Sequence, residues 1–188
     1  MKKLNVCVFC SSSRTVDEKY RLQARRLGGL IADCPATLVF GGSRCGCMEE
    51  VALGALDAGG SVVGVVPQFM NSCHWQDQKG ILIETVATMQ DRKRRMEELA
   101  DVFVVLPGGL GTLDELHEVL ALVYLGVLKQ PVYLVNSDGF YDPLLQLLDQ
   151  LRGGGFCPRD YRSLLTEVAH TDEVFSDLRL RGLRACSA

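Results

Sequence analysis

No stretch of this chain offers a membrane span. Its apolar runs stay well short of the ~18 residues that a crossing helix needs. The opening Met-Lys-Lys-Leu-Asn leads straight toward a strand, without the apolar core of a secretion signal. A formal charge of −3 leaves no basic footprint for nucleic acid or for an anionic lipid surface. Internal repeats, linkers and low-complexity tracts are also missing. The 188 residues, 47% of them apolar, therefore read as one domain, 1–188, with a loose tail after about residue 183. The expected location is the cytoplasm.

Eight cysteines do not make up for those absences. Cys7 and Cys10 have CxxC spacing, but a strand there would send Cys7 and Phe9 to one face and Cys10 to the other. Cys45 and Cys47 are too close to be a usual second pair for zinc. With Cys34, Cys73, Cys157 and Cys186, they read as reduced, buried or incidental thiols. The visible residues call for no metal and no cofactor.

What the chain does contain is a steady alternation of strand and helix patterns. Strands are expected at Leu4 to Phe9, Thr37 to Phe40, Ser61 to Val66, Ile81 to Thr85, Val102 to Leu106, Pro131 to Val135 and Leu164 to Ala169. Helices are expected at Val16 to Asp33, Met48 to Ala58, Met89 to Leu99, from Thr112, at Tyr141 to Leu151 and from Thr171. This pattern predicts an α/β fold, a Rossmann-like, doubly wound parallel sheet with helices on both faces. Ligands of such sheets sit beyond the carboxyl ends of the strands. The turns at residues 10–14, 41–46 and 107–111 all follow strands. Ser11, Ser12, Gly41, Gly42 and the third turn should therefore share a rim and surround one ligand. Pro67 to Gly80 is a long loop, with Met70, His74 and Trp75 on an expected surface; its length suits a lid.

The third turn is the most informative. Leu106-Pro107-Gly108-Gly109-Leu110-Gly111-Thr112-Leu113-Asp114-Glu115 joins a buried strand to a helix. Its glycines let backbone approach a ligand closely, and the unpaired amides at the helix start favour a phosphate. It lacks the Gly-Lys-Ser/Thr of a P-loop and the spacing of GxGxxG. Glu115 has two readings that the residues leave open. Thr112-x-x-Glu115 is a capping box, and Glu115 is also a carboxylate placed to stabilise a developing cation. Gly41-Gly42 is similarly open between a tight turn and a ligand cradle. The densest basic cluster is Arg92 to Arg95. A charge run is usually a solvated helix face, and Arg94 and Arg95 read as one.

Pro107-Gly-Gly-x-Gly-Thr-x-x-Glu115 resembles the signature of the Lonely Guy family, cytokinin-activating phosphoribohydrolases some of which were long labelled lysine decarboxylases. Met89-Gln90-Asp91-Arg92-Lys93-Arg94-Arg95-Met96 resembles the family's Met-His-x-Arg-Lys-x-x-Met, and Val6 to Ser13 resembles its opening strand and turn. The similarity runs from about residue 4 to residue 170. It implies hydrolysis of an N-glycosidic bond in a nucleoside 5′-monophosphate, N6-prenylated adenosine forms being preferred. It assigns catalysis to Arg92 and Glu115, and nucleotide binding to Lys93 and the turn Gly108, Gly109, Leu110, Gly111, Thr112, Leu113 and Asp114. The chain departs from the pattern at Gln90 for histidine, Ser11 and Ser43 for glycine, and in the long loop, where a glutamate has no match near His74. These departures bear on the base preferred, so a general AMP nucleosidase is an alternative.

Two other functions compete. A nucleotide or cofactor carrier on this fold, like the molybdenum-cofactor carriers, would have no use for Arg92 and Glu115 together. A lysine decarboxylase would need a lysine for a pyridoxal phosphate Schiff base, and neither Lys93 nor Lys129 sits in a convincing place. The helix at residues 112–126 bears on assembly. From Val119 it is apolar all round: Leu113, Leu116, Leu120 and Val123 can face the sheet, leaving Val119, Leu122 and Leu125 to be covered. A second copy about a two-fold axis is the expected cover, and the resemblance also implies a homodimer. The alternative is cover from Tyr141 to Leu151 within the chain.

Overall fold

The structure, a computed structural model, describes residues 3–70, 75, 79–157 and 160–180. Among them are seven strands: β1 (Asn5–Phe9), β2 (Thr37–Phe40), β3 (Ser61–Pro67), β4 (Ile81–Val86), β5 (Val102–Val105), β6 (Val132–Val135) and β7 (Thr166–Val168). All neighbours pair in parallel, in the order β4-β3-β2-β1-β5-β6-β7. The helices are α1 (Glu18–Asp33), α2 (Gly46–Asp57), α3 (Met89–Leu99), α4 (Leu110–Tyr124), α5 (Asp142–Gly153) and α6 (Thr171–Leu180).

Strands buried on both faces read as continuous apolar runs, and β1 shows why. Val6, Val8 and Cys10 join Leu27 and Ile31 of α1, Val51 of α2 and Phe175 of α6 in one core. Cys7 and Phe9 join Met96 of α3, Leu116 and Val119 of α4 and Leu145 of α5 in the other. Helices thus cover both faces, and Cys7 and Cys10 diverge as alternation required. Each fully buried valine, leucine or phenylalanine stabilises the fold by about 1.5–3 kcal/mol.

This topology positions the site. Chain order reverses at β1, which pairs with β2 on one side and β5 on the other. Val8 is level with Phe40, and Phe9 with Val105. The turns after these three strands therefore emerge side by side, at the switch point where doubly wound sheets hold ligands.

Several expected boundaries shift for local reasons. α1 begins at Glu18 because the Asp17 carboxylate accepts from the Lys19 amide at 3.0 Å. α4 begins at Leu110, two residues ahead of the expected Thr112, with Gly109 as its N-cap. α5 runs on to Gly153 before Gly154 and Gly155 turn the chain. Trp75, expected at the surface, is buried: its indole N–H donates to the Gly42 carbonyl at 3.0 Å and its ring packs edge-on to Phe40. Residues 71–74 and 76–78, which include His74, lie outside the described residues, as does the tail after 183. Cys7, Cys10, Cys45 and Cys47 carry free thiols, but Cys34 is disulfide-bonded, against the expectation for all eight. Pairing depends on Cα separation, which sequence spacing does not supply. No described helix is long and apolar enough to cross a membrane.

Candidate active site

The site begins with an arginine that has no room to be anything but ordered. Thr88 caps α3, accepting from the Asp91 amide at 3.0 Å. One residue later Arg92 turns inward and is buried. Its Nε donates to the Val65 carbonyl at 3.2 Å, and its Nη1 donates to Glu115 Oε1 at 2.7 Å. A Cβ at Gly41 would lie 1.7 Å from Arg92 Nη2. Gly41 is thus a glycine because the guanidinium occupies its side-chain space, which answers the question the sequence left open there. Gly42 takes φ +75° and presents its carbonyl to Trp75.

Glu115 sits in the second turn of α4 and is as buried as Arg92. The capping-box reading fails. Gly109 is the N-cap and no side chain caps it; Thr112 is already inside the helix, and the Glu115 carboxylate is spent on Arg92. Burial pushes the Glu115 carboxyl above its usual range, and the Arg92 charge and hydrogen bond only partly oppose that. Oε2 accepts no hydrogen bond from the described residues. A buried carboxylate with one oxygen held by arginine and the other without a partner is stabilised by any cation or water molecule that reaches it.

Both groups line a cavity of about 360 Å³. The three turns form its walls. Ser11 and Ser12 come from the end of β1; the Ser11 carbonyl accepts from the Met48 amide at 3.1 Å, and its hydroxyl accepts from the Ser13 amide at 3.1 Å. Gly41 and Ser43 come from β2, and Gly109, Leu110, Gly111, Thr112 and Asp114 from the start of α4. The Leu113 amide bonds the Gly109 carbonyl at 3.0 Å, so the amides of Leu110, Gly111 and Thr112 stand ahead of that first helical bond at the cavity wall.

Four expected residues stand behind the wall. Gly108 is pressed against Thr112, whose Oγ1 would be 2.2 Å from a Cβ there. Leu113 packs on the core beneath α4. Gly42 supports Gly41. Lys93 turns away to α4, with Nζ 3.0 Å from Asp114 and 2.5 Å from Glu118. Cys10, Ser13 and Ser43, in turns expected to surround the ligand, and Met70, in the loop expected to be a lid, also line the cavity; Met48 and Met89 line it too and were missed by sequence reasoning. Three methionines in the lining give the cavity apolar, adaptable surface, and nothing in their spacing along the chain announces that they share it.

Comparison with known proteins now applies. A family profile described as "Possible lysine decarboxylase" matches residues 48–178. A probable cytokinin riboside 5′-monophosphate phosphoribohydrolase of Oryza sativa subsp. japonica is 40% identical over 163 residues, covering 87% of this chain and 72% of its own. A cytokinin riboside 5′-monophosphate phosphoribohydrolase of Rhodococcoides fascians is 38% identical over 160 residues, covering 85% of this chain and 81% of its own.

This chain belongs to the Lonely Guy family.

The Lonely Guy arginine and glutamate motifs are the two that meet here as a buried pair, although they lie on different helices and 23 residues apart. Solved structures share the fold. The molybdenum cofactor carrier protein of Chlamydomonas reinhardtii superposes with TM-score 0.69 at 23% identity, over 95% of this chain and 98% of its own. The molybdenum cofactor binding protein of Rippkaea orientalis gives 0.68 at 23%, over 96% and 98%. The decarboxylase wording of the profile finds no support in side-chain placement: none of the described lysines lines the cavity.

Proposed function

We propose that this protein hydrolyses the N-glycosidic bond of adenosine-type 5′-monophosphates, N6-modified forms above all, releasing the free base and ribose 5-phosphate. The observation that carries the reading is the buried Arg92–Glu115 pair, with Glu115 lining a cavity that begins at a helix N-terminus and its Oε2 buried without a partner among the described residues. The 5′-phosphate is assigned to the amides of Leu110, Gly111 and Thr112, where the dipole of α4 favours an anion. Ser11, Ser12 and Gly41 close the opposite wall around the sugar. As the C1′–N bond breaks, its electrons leave with the base and positive charge develops on the ribosyl ring. Ionised Glu115 stabilises that charge and orients the water that attacks C1′; the water's proton balances the charge of the departing base. Arg92 holds Glu115 in register and keeps part of it ionised despite burial. The relatives' names, which specify cytokinin riboside 5′-monophosphates, support the N6-modified substrate. So do the three methionines in the cavity lining, which suit an apolar substituent.

The assembly proposed is a homodimer through α4. The structure narrows the surface available for it. Val119, expected to need outside cover, is buried in the core that also holds Tyr141 and Leu145. Leu125 stays 70% exposed and Leu122 partly so, and these are the residues a second copy would cover. The cytoplasm is the compartment proposed from the free thiols of Cys7, Cys10, Cys45 and Cys47, the Cys34 bond being the feature that argues otherwise. The direct test is base release from a panel of nucleoside 5′-monophosphates. Preference for N6-prenyl-AMP over AMP is expected. Equal rates would make this a general nucleosidase, and tight binding without release would make it a carrier.

A further inference from the structure

We infer that Lys93 is a positioning residue, which acts on Glu115 by holding the Asp114 and Glu118 carboxylates of α4 rather than by touching the substrate. This rests on the hydrolase reading above. Lys93 follows Arg92 on α3, so one turn of α3 engages α4 twice. Arg92 takes Glu115 at 2.7 Å; Lys93 takes Asp114 at 3.0 Å and Glu118 at 2.5 Å. Asp114 and Glu118 are four apart, one helical turn, and bracket Glu115. The Lys93 side chain is only 11% exposed and does not line the cavity, whereas Asp114 does. Freed from Lys93, the Asp114 carboxylate would stand at the cavity wall beside both Glu115 and a bound phosphate.

The charges around Glu115 support the same role. From α3, Arg92 and Lys93 favour its ionised form, while from α4 Asp114 disfavours it. The buried thiols of Cys7, in β1, and Cys10, just beyond it, are also within electrostatic reach of Glu115. Glu97, pushed up to about 7 by burial and then by Glu118, faces the Lys93–Glu118 pair from α3. Losing the Lys93 ammonium removes a charge that favours ionised Glu115 and releases one that opposes it. The ionised fraction should then be lost at higher pH.

The test compares pH profiles of kcat and KM for AMP or N6-prenyl-AMP. In Lys93→Met the acid limb of kcat should move up by about one unit, a tenfold loss of kcat on that limb, with KM changed less than about threefold. Adding Asp114→Asn should move the limb back, and Lys93→Arg should keep it near the wild-type position. A KM raised tenfold or more with the limb unmoved and no rescue would overturn the inference and make Lys93 a substrate ligand. Should Lys93→Met not fold, Asp114→Asn alone must lower the limb, and a limb that stays put would refute the idea. Absence of turnover in the wild type would condemn the hydrolase reading instead. Melting curves then decide: Lys93→Met should lose more Tm than wild type as pH rises above the ordinary carboxyl range, and Asp114→Asn should restore it. Equal slopes would overturn the inference.

Discussion

Replacing Glu115 with glutamine separates its catalytic role from its structural one. The amide keeps the shape and an acceptor for Arg92 Nη1, now 2.7 Å from Oε1, but loses the charge. Two effects on stability oppose each other. Removing one partner of a buried ion pair costs about 3–5 kcal/mol when the other charge is left bare, and here the remaining amide oxygen softens that. Against it stands the cost of the buried carboxylate itself. The folded pKa of Glu115 is raised, burial being the first cause. A raised carboxyl contributes stability below its unfolded pKa and loses it as pH rises through the folded pKa, so at neutral pH the ionised group is a burden that glutamine removes. The net change should stay within about 2 kcal/mol, or about 4–8 °C in Tm for a chain of this size. Turnover should fall about 100-fold or more, as for loss of a group that stabilises transition-state charge. The assay is urea unfolding beside base release, each across pH. The wild type should gain stability relative to Glu115→Gln as pH falls, and the variant's kcat should lose its acid limb. A variant that melts easily but whose folded fraction turns over at the wild-type rate would refute the reasoning.

Gly41→Ala drives a Cβ into Arg92 Nη2; kcat should fall at least tenfold while circular dichroism still shows a folded α/β protein, and unchanged kcat would mean the guanidinium is free to move. Adenosine, lacking the phosphate that the start of α4 is expected to orient, should react far more slowly than AMP, and comparable kcat/KM values would remove the assignment of the phosphate to the amides of Leu110, Gly111 and Thr112. Trp75→Phe loses the hydrogen bond to the Gly42 carbonyl, worth about 1 kcal/mol, and should lower Tm by a few degrees; no change would mean the indole does not hold that turn. Leu125→Glu should convert a dimer to monomer in light scattering, and a wild-type monomer with full activity would end the dimer proposal.

Period and punctuation made most of the fold legible. Runs such as Val102 to Leu106 can only be buried parallel strands in so regular an alternation, and Met89 and Leu99 bound α3 where the pattern put them. Boundaries failed where a cap decided them: Asp17 and Gly109 set helix starts through hydrogen bonds and backbone angles that periodicity does not encode. At the site, Arg92 and Glu115 were readable as motif residues, but their partnership was not. It depends on the space Gly41 leaves, a contact between a turn and a helix 51 residues apart in sequence. Lys93 shows the converse. Its motif position beside Arg92 suggested a substrate contact, yet successive helical residues point about 100° apart, so it reaches a different side of α4. Trp75 was misplaced because a loop residue reads as exposed unless its partner is known, and that partner is a backbone carbonyl on another strand's turn.

The central claim is that this cavity breaks the N-glycosidic bond of a nucleoside 5′-monophosphate with water. Mass analysis of the products from N6-prenyl-AMP in water enriched with heavy oxygen tests it most directly. The account predicts free N6-prenyladenine without label and ribose 5-phosphate labelled at C1 in equal amounts, both abolished in Arg92→Ala. Inorganic phosphate with an intact nucleoside, or unreacted nucleotide recovered from a stable complex, would contradict it.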